Sequence, residues 1–315
     1  MLARNAIKSA LKDVPANANV GLGVSGGADS LALLVALSTL YKGDQASQVH
    51  VVSIDHQLQE ITSQVSARVA TIAESFGFTT HIIPIDIPET GNGAEADARI
   101  ARYNAFEDAI QAYNLEAFLI GHTKSDQAEQ VMLGLLRGSG TRSISGIPER
   151  RGVFVRPFLN TLNRSETQKV CDENNIDYWC DPHNDSSDYN RVNIRKLIKE
   201  TENVTGQNIV EPLVRTAKIS SEDAEALDFY TDMSYNTVVE SNWDSDVLKN
   251  IPVAVRKRVY RKHLLSINVP TDKVSFDALN GIESLISEWN GQKINNIVAG
   301  LIVTRNNGKI VFTQN

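Results

Sequence analysis

Apolar residues are arranged along the first part of the chain in two alternating rhythms. Short apolar runs at Asn19–Val24, Val49–Ile54, Thr79–Ile85 and Ala117–Gly121 have the length and composition of buried strands. Between them, Asp29–Tyr41, Ile61–Phe76, Ala94–Tyr113 and Ser125–Leu136 read as helices. Repeated strand–helix alternation predicts parallel strands joined by right-handed crossovers, an α/β fold with a doubly wound parallel sheet. Ligands of such sheets bind beyond the carboxyl ends of the strands. The loops after Val24, Ile54 and Ile120 are therefore where chemistry is expected.

After Pro148 the rhythm changes. A segment rich in Arg, Pro, Asn and Asp runs to about Arg195, and an acidic helical stretch follows to about Asp246. Ile251–Leu265 and Val274–Trp289 read as two further helices, and Lys293–Phe312 as short strands around an Asn307-Gly308 hairpin turn. We expect a catalytic domain over residues 1–200, then a helical connector and a smaller α+β domain over residues 201–315.

No run approaches the ~18 consecutive apolar residues of a membrane span, and the amino terminus lacks the apolar core of a signal peptide. A cytoplasmic protein with no membrane partner is expected. The 2 cysteines, Cys171 and Cys180, form no C-x-x-C pair, which argues against a zinc ribbon or an iron–sulfur cluster and predicts two buried thiols.

The net charge of −7 speaks against a nucleic-acid partner until it is resolved along the chain. Residues 1–136 carry 8 basic and 15 acidic groups, 137–199 carry 11 and 8, 200–250 carry 3 and 11, and 251–315 carry 9 and 4. The basic excess thus lies in two zones, and phosphate attraction depends on the field within a Debye length of about 10 Å, not on the sum. Arg137, Arg142, Arg150, Arg151, Arg156 and Arg164 form the first zone with a single acid, Glu149. Arg256-Lys257-Arg258 with Arg261 and Lys262 form the second, on a predicted helix.

The loop after the first strand reads Ser25-Gly26-Gly27-Ala28-Asp29-Ser30 and opens directly into a helix. Two glycines let backbone N–H groups turn inward, two hydroxyls add donors, and the helix amino terminus adds partial positive charge. This is an anion cradle suited to phosphate or pyrophosphate. It lacks the Gly-Lys-Ser/Thr ending of the Walker loop and the G-x-G-x-x-G spacing of the dinucleotide fingerprint.

S-G-G-x-D-S in that position resembles the PP-loop of ATP pyrophosphatases, which cleave ATP between its α and β phosphates. Further along, Asp55-His56 closes the second strand. Glu95, Ala98, Arg99, Arg102 and Tyr103 follow, then His122–Gly140, Gly146-Ile147-Pro148 and Arg156-Pro157. Asp181-Pro182-His183-Asn184, Tyr189, Arg191 and Arg195 complete a pattern similar to that of the tRNA(Ile)-lysidine synthases. The pattern departs from that family at Gln57, Gln59, Ser125 and Asn193.

The resemblance implies a Rossmann-like ATP pyrophosphatase domain and a two-step reaction. The C2 oxygen of the wobble cytidine in an isoleucine tRNA with a CAU anticodon attacks the α-phosphate of ATP. The ε-amine of L-lysine then displaces AMP. ATP would sit on Ser25–Ser30 and Asp55, with Asp29 placing Mg²⁺ on the phosphates. Arg99, backed by Arg102, would stabilise phosphate charge, and His122 would orient a phosphate or carry a proton. Asp126 and Glu129, spaced i, i+3, would hold the lysine ammonium. Arg137, Arg142, Arg156, Arg191 and Arg195 would contact the tRNA, and the second basic zone its body. A tRNA thiolation enzyme, an NAD or GMP synthetase and a non-catalytic ATP-binding module are the competing readings.

Overall fold

The computed structural model describes residues 1–55, 60–88, 93–180, 190–295 and 300–314. The expectations placed on His56, Gln57, Gln59, Asp181–Asn184, Tyr189 and the Glu95 side chain lie outside the described residues. The chain divides into two compact units, Met1–Ile219 and Ser220–Asn315.

In the first unit a six-stranded sheet has the order β3-β2-β1-β4-β6-β5. Its strands are β1 (Asn19–Gly23), β2 (Val49–Asp55), β3 (Thr79–Pro84), β4 (Leu115–Ile120), β5 (Arg150–Arg151) and β6 (Phe154–Val155). All pairings are parallel except that of β5 with β6. The helices α2 (Ala28–Ser38), α3 (Glu60–Ser75), α4 (Ala94–Ala112) and α5 (Lys124–Leu136) follow β1 to β4 in turn, as the periodicity predicts. Because β1 lies between β2 and β4, the chain reverses its direction of winding beside β1. The loops leaving β1 and β4 therefore form the crevice where open α/β sheets bind ligands.

Close packing holds those two loops together. A Cβ on Gly121, just after β4, would sit 3.0 Å from the backbone of Asp29 and of Ser30, so only glycine lets the loop lie against the start of α2. Helix α2 is apolar almost all round, from Leu31 to Leu37, because it is covered on several sides. It packs on the sheet, on α1 (Leu2–Ala10) and on α7 (Arg164–Glu173). Sequence periodicity did not single out α1, whose buried face is only Ala3, Ala6 and Ile7, nor the polar α7. The short strands β5 and β6 were also missed, since two residues carry no readable alternation. The four-residue α6 (Thr141–Ile144) and α8 (Asn190–Thr205) complete the first unit, apart from α9 (Val210–Glu240), a single helix of 31 residues within which the division falls.

The second unit contains α10 (Ser245–Lys249), α11 (Val253–Ser266), α12 (Phe276–Ser287) and an antiparallel sheet of β7 (Lys293–Asn295), β8 (Leu301–Asn306) and β9 (Lys309–Gln314). Asn307 and Gly308 join β8 to β9 with φ of +48° and +76°, both in the left-handed region required by a type I′ hairpin. The basic run on α11, expected to contact the body of the tRNA, is largely engaged within its own unit. Arg256 is buried, paired with Glu283 and donating to the carbonyls of Leu248 and Ile251. Lys257 donates to Asn280, Lys262 pairs with Asp232 and Arg258 with Asp228. Among the described residues, no helix is long and apolar enough to cross a membrane.

Candidate active site

The loop after β1 is built as a turn of donors. Gly26 has φ +81°, and a Cβ there would lie 2.3 Å from Cγ1 of Val65 on α3, so both conformation and space require glycine. The Ser25 backbone N–H donates to Ser30 Oγ at 3.2 Å, and the Ser30 hydroxyl donates to the Gly27 carbonyl at 3.0 Å. These bonds curl the loop around the start of α2, leaving Ser25 exposed at its rim. Gly27 precedes the first helical residue, Ala28, so the unbonded N–H groups of the first turn face the same hollow. A second segment anchors the loop from outside, through the Trp179 N–H donating to the Gly26 carbonyl at 2.9 Å.

Beside this cradle three carboxylates converge on one arginine. Arg164, the first residue of α7, places Nε 3.4 Å from Asp29, one terminal nitrogen 3.2 Å from Asp126 and the other 3.8 Å from Glu129. Its position is fixed from α5: the Arg164 N–H donates to Ser125 Oγ at 3.2 Å, and the Lys124 N–H donates to the Leu162 carbonyl at 2.8 Å. Ser125, where the family pattern has an acid, thus receives the backbone of the following helix. Arg164 was counted with the basic zone expected to meet RNA. It faces inward instead, because the strand pair β5–β6 turns the chain back toward the sheet.

The three carboxylates are not equivalent. Asp126 closes a capping box at the start of α5, where its Oδ2 accepts from the Thr123 N–H at 2.7 Å and hydroxyl at 2.8 Å. Burial opposes its charge, but Arg164 and these bonds hold its pKa below the usual value. Asp29 is raised by burial, against the pull of Arg164, and also accepts a short bond from the Thr167 hydroxyl. Glu129 is raised by burial and by the charge of Asp126. Its Oε1 accepts from Arg195 Nε at 2.7 Å, while its buried Oε2 has no hydrogen-bond partner among the described residues.

The other expected residues divide between the crevice and the scaffold. His122 leaves β4 at the site, and its Nδ1 accepts from Arg156 Nε at 3.2 Å, which puts the imidazole proton on Nε2. Burial first, then the positive field of Arg156, Arg99 and Arg191, lowers its pKa to about 4 despite the opposing Asp126. Arg99 is exposed and stacks over the Tyr103 ring at 4.9 Å. Arg156 is buried and spends its guanidinium on His122, the Pro148 carbonyl and the Tyr103 hydroxyl. Arg195 lies on Glu129 and Arg191 near His122, whereas Arg137 and Arg142 are exposed. Asp55 is buried, accepting from Thr62 at 2.8 Å and Ser63 at 2.6 Å, so it fastens the first turn of α3. Gln127 escaped sequence reasoning: its amide exchanges bonds of 3.0 and 2.7 Å with the backbone of Ile147, and a Cβ on Gly146 would collide with it. Cys171 is buried, its thiol pushed up to about 12 by burial, but Cys180 is exposed, correcting the expectation of two buried thiols.

Residues 2–202 match the family model of the PP-loop domain. The tRNA(Ile)-lysidine synthase of Thermobifida fusca strain YX is 34% identical over 317 aligned residues, covering 99% of this chain and 97% of that protein. The chain belongs to the tRNA(Ile)-lysidine synthase family. The member from Rhodococcus erythropolis strain PR4 is 36% identical, with 93% of this chain and 89% of that protein covered. Among solved structures, the U34-tRNA thiolase NcsA from Methanococcus maripaludis superposes with a TM-score of 0.58 at 15% identity, over 69% of this chain and 77% of that one. At that identity the likeness speaks for the fold alone. Membership of a PP-loop family makes this an ATP-using enzyme of the ligase type.

Proposed function

We propose that the enzyme adenylates the C2 oxygen of the wobble cytidine of an isoleucine tRNA with a CAU anticodon, and then joins the ε-amine of L-lysine to that carbon. The observation carrying this reading is the juxtaposition of an anion cradle with a carboxylate cluster in which one buried oxygen, Glu129 Oε2, has no donor among the described residues. Arg164 and Arg195 both address Glu129 through Oε1, which leaves Oε2 to accept from an ammonium donor.

The cradle grips the departing pyrophosphate through the Ser25 and Ser30 hydroxyls and the N–H groups around Gly26, Gly27 and Ala28. Asp29, an oxygen donor in the first turn of α2, suits Mg²⁺, which takes one or two carboxylates together with substrate phosphates. The ion supplies neutralisation of phosphate charge when bound. Arg99 and the Nε2–H of neutral His122 stand ready to meet negative charge at the α-phosphate, a kind of stabilisation whose loss typically costs ~10²–10³ in rate. The exposed Arg137 and Arg142, beside Gly138, Gly140 and Gly146, meet the anticodon loop. Thiolation fits less well, because Cys171 is buried with a raised pKa and forms no C-x-x-C pair with Cys180.

Incorporation of labelled lysine into paired transcripts tests the reading. We expect ATP-dependent incorporation with pyrophosphate release on the isoleucine tRNA bearing C34, and none when C34 is replaced by U. Pyrophosphate release independent of both lysine and tRNA would overturn it.

A further inference from the structure

An incoming lysine brings its amine as an ammonium ion, which has no lone pair to attack carbon, so the second step needs a proton acceptor. From the geometry of the carboxylate cluster we infer that Glu129 Oε2 is that acceptor. The inference rests on the reading of the site given above and assigns a catalytic role that charge complementarity alone does not.

The cluster offers few free lone pairs. Asp126 Oδ2 is occupied by two bonds from Thr123 and Oδ1 by Arg164, and Asp29 is held on both oxygens by Thr167 and Arg164. His122 Nδ1 accepts from Arg156, which leaves that imidazole only a proton to donate. Glu129 differs, since Arg195 and Arg164 both address Oε1 and leave Oε2 buried and without a partner among the described residues. A buried acceptor without a donor is costly in a folded protein and is best explained by a ligand that supplies one.

The surroundings also favour proton uptake at Glu129. The charged groups facing it are Asp126 from its own helix α5, Arg164 from α7 and Arg195 from α8. Burial and Asp126 push its pKa up, and the two arginines pull it back without cancelling the rise. The same burial disfavours the ammonium form of the bound amine, which narrows the gap that the proton must cross.

The step balances as follows. The ammonium N–H passes its proton to Glu129 Oε2, giving a neutral carboxylic acid and a free amine. The amine lone pair forms the bond to C2 of the adenylated cytosine. The C2–O bond breaks, its electron pair leaving with the phosphate of AMP, and the remaining extra N–H proton goes to that phosphate. Glu129 returns its proton to water when the products depart.

The test compares wild type with Glu129→Gln, an isosteric change that keeps an oxygen for Arg195. Lysine incorporated per pyrophosphate released is measured at saturating lysine from pH 6.5 to 9.5. General-base loss typically costs ~10²–10⁴ in rate. For the variant we expect a ratio lowered on the order of a hundredfold at pH 7, recovering with rising pH as free amine becomes available in solution. S-(2-aminoethyl)-L-cysteine, a lysine analogue with a less basic amine, should be transferred by the variant faster than lysine itself. A residue that only binds lysine would raise KM but give parallel pH profiles and no preference for the less basic amine, and that result overturns the assignment. If Glu129→Gln does not fold, Glu129→Asp, which withdraws the oxygen by one methylene, is read by the same ratio. Failure of the underlying reading looks different, because pyrophosphate release would then not depend on tRNA in the wild type either.

Discussion

Arg164 reaches Asp126 at 3.2 Å from the first turn of a different helix, and the same guanidinium spans to Asp29 at 3.4 Å. One side chain therefore neutralises two carboxylates of different function: one at the phosphate cradle and one capping α5. Removing a partner from a buried ion pair typically costs about 3–5 kcal/mol, because charge is left without compensation.

Arg164→Ala should accordingly destabilise the enzyme by about 3–5 kcal/mol at pH 8. The pH dependence has a definite sign. Asp29 and Glu129 already have folded pKa values above their unfolded ones, and loss of Arg164 raises them further. A carboxyl with a raised folded pKa binds its proton earlier in the folded state, so its stability contribution is lost as pH rises through that value. Chemical denaturation should therefore show a smaller penalty at pH 5 than at pH 8. A penalty that did not vary with pH would contradict this account. Arg164→Lys, which keeps the charge but not the planar fork, should fall between.

Gly26→Ala is predicted to disable the cradle by two separable effects. A left-handed residue with a side chain costs roughly 1–2 kcal/mol, and the new methyl would also overlap Val65 at 2.3 Å. ATP-dependent pyrophosphate release should drop on the order of a hundredfold, as for loss of an oxyanion donor. In the double variant with Val65→Ala the overlap is relieved and the backbone strain is not. Partial recovery of release is expected, and full recovery would show that conformation was irrelevant.

The cradle, the α/β alternation and the β8–β9 turn were legible because each depends on local sequence: a glycine at positive φ, an apolar period, an Asn-Gly pair. The acidic cluster was legible only in part. Asp126 and Glu129 are spaced to emerge together on one helix, but the residue that organises them, Arg164, comes from α7 and is brought there by the missed strands β5 and β6. Arg156 and Arg195 were read as RNA contacts for the same reason. Charge along a sequence does not reveal which guanidinium will meet a buried carboxylate or carbonyl, and long-range packing decided both cases. Gln127 left no signal at all, since an amide bonded to a distant backbone resembles any polar helix residue.

His122 should behave as a neutral imidazole throughout the physiological range. Its pKa is lowered from 6.5 to about 4, so between those values the unfolded chain binds a proton that the folded one does not. Folding stability therefore rises with pH across that interval and is flat above it, a contribution of about 3 kcal/mol at most. Imidazole resonances followed by NMR should leave His122 untitrated at pH 6, and His122→Gln should flatten the slope of stability between pH 4.5 and 6.5. A His122 midpoint near its ordinary value would remove the case for an Nε2–H donor held in one tautomer by Arg156.

Arg137 and Arg142 should separate cleanly from Arg256 under substitution, because the first two are exposed and Arg256 is buried within its own unit. Each phosphate contact to single-stranded RNA adds about 0.7 to the slope of log affinity against log salt. Arg137→Ala and Arg142→Ala should each weaken tRNA binding and lower that slope by up to about this amount, measured by filter binding between 50 and 300 mM salt, with folding stability nearly unchanged. Arg256→Met should do the reverse. Its guanidinium is buried against Glu283 and the end of α10, so its loss should cost about 3–5 kcal/mol of stability in the second unit and leave the salt slope of the still-folded protein as it was. A reduced slope for Arg256→Met, without loss of stability, would return α11 to the RNA-binding surface that its charge first suggested.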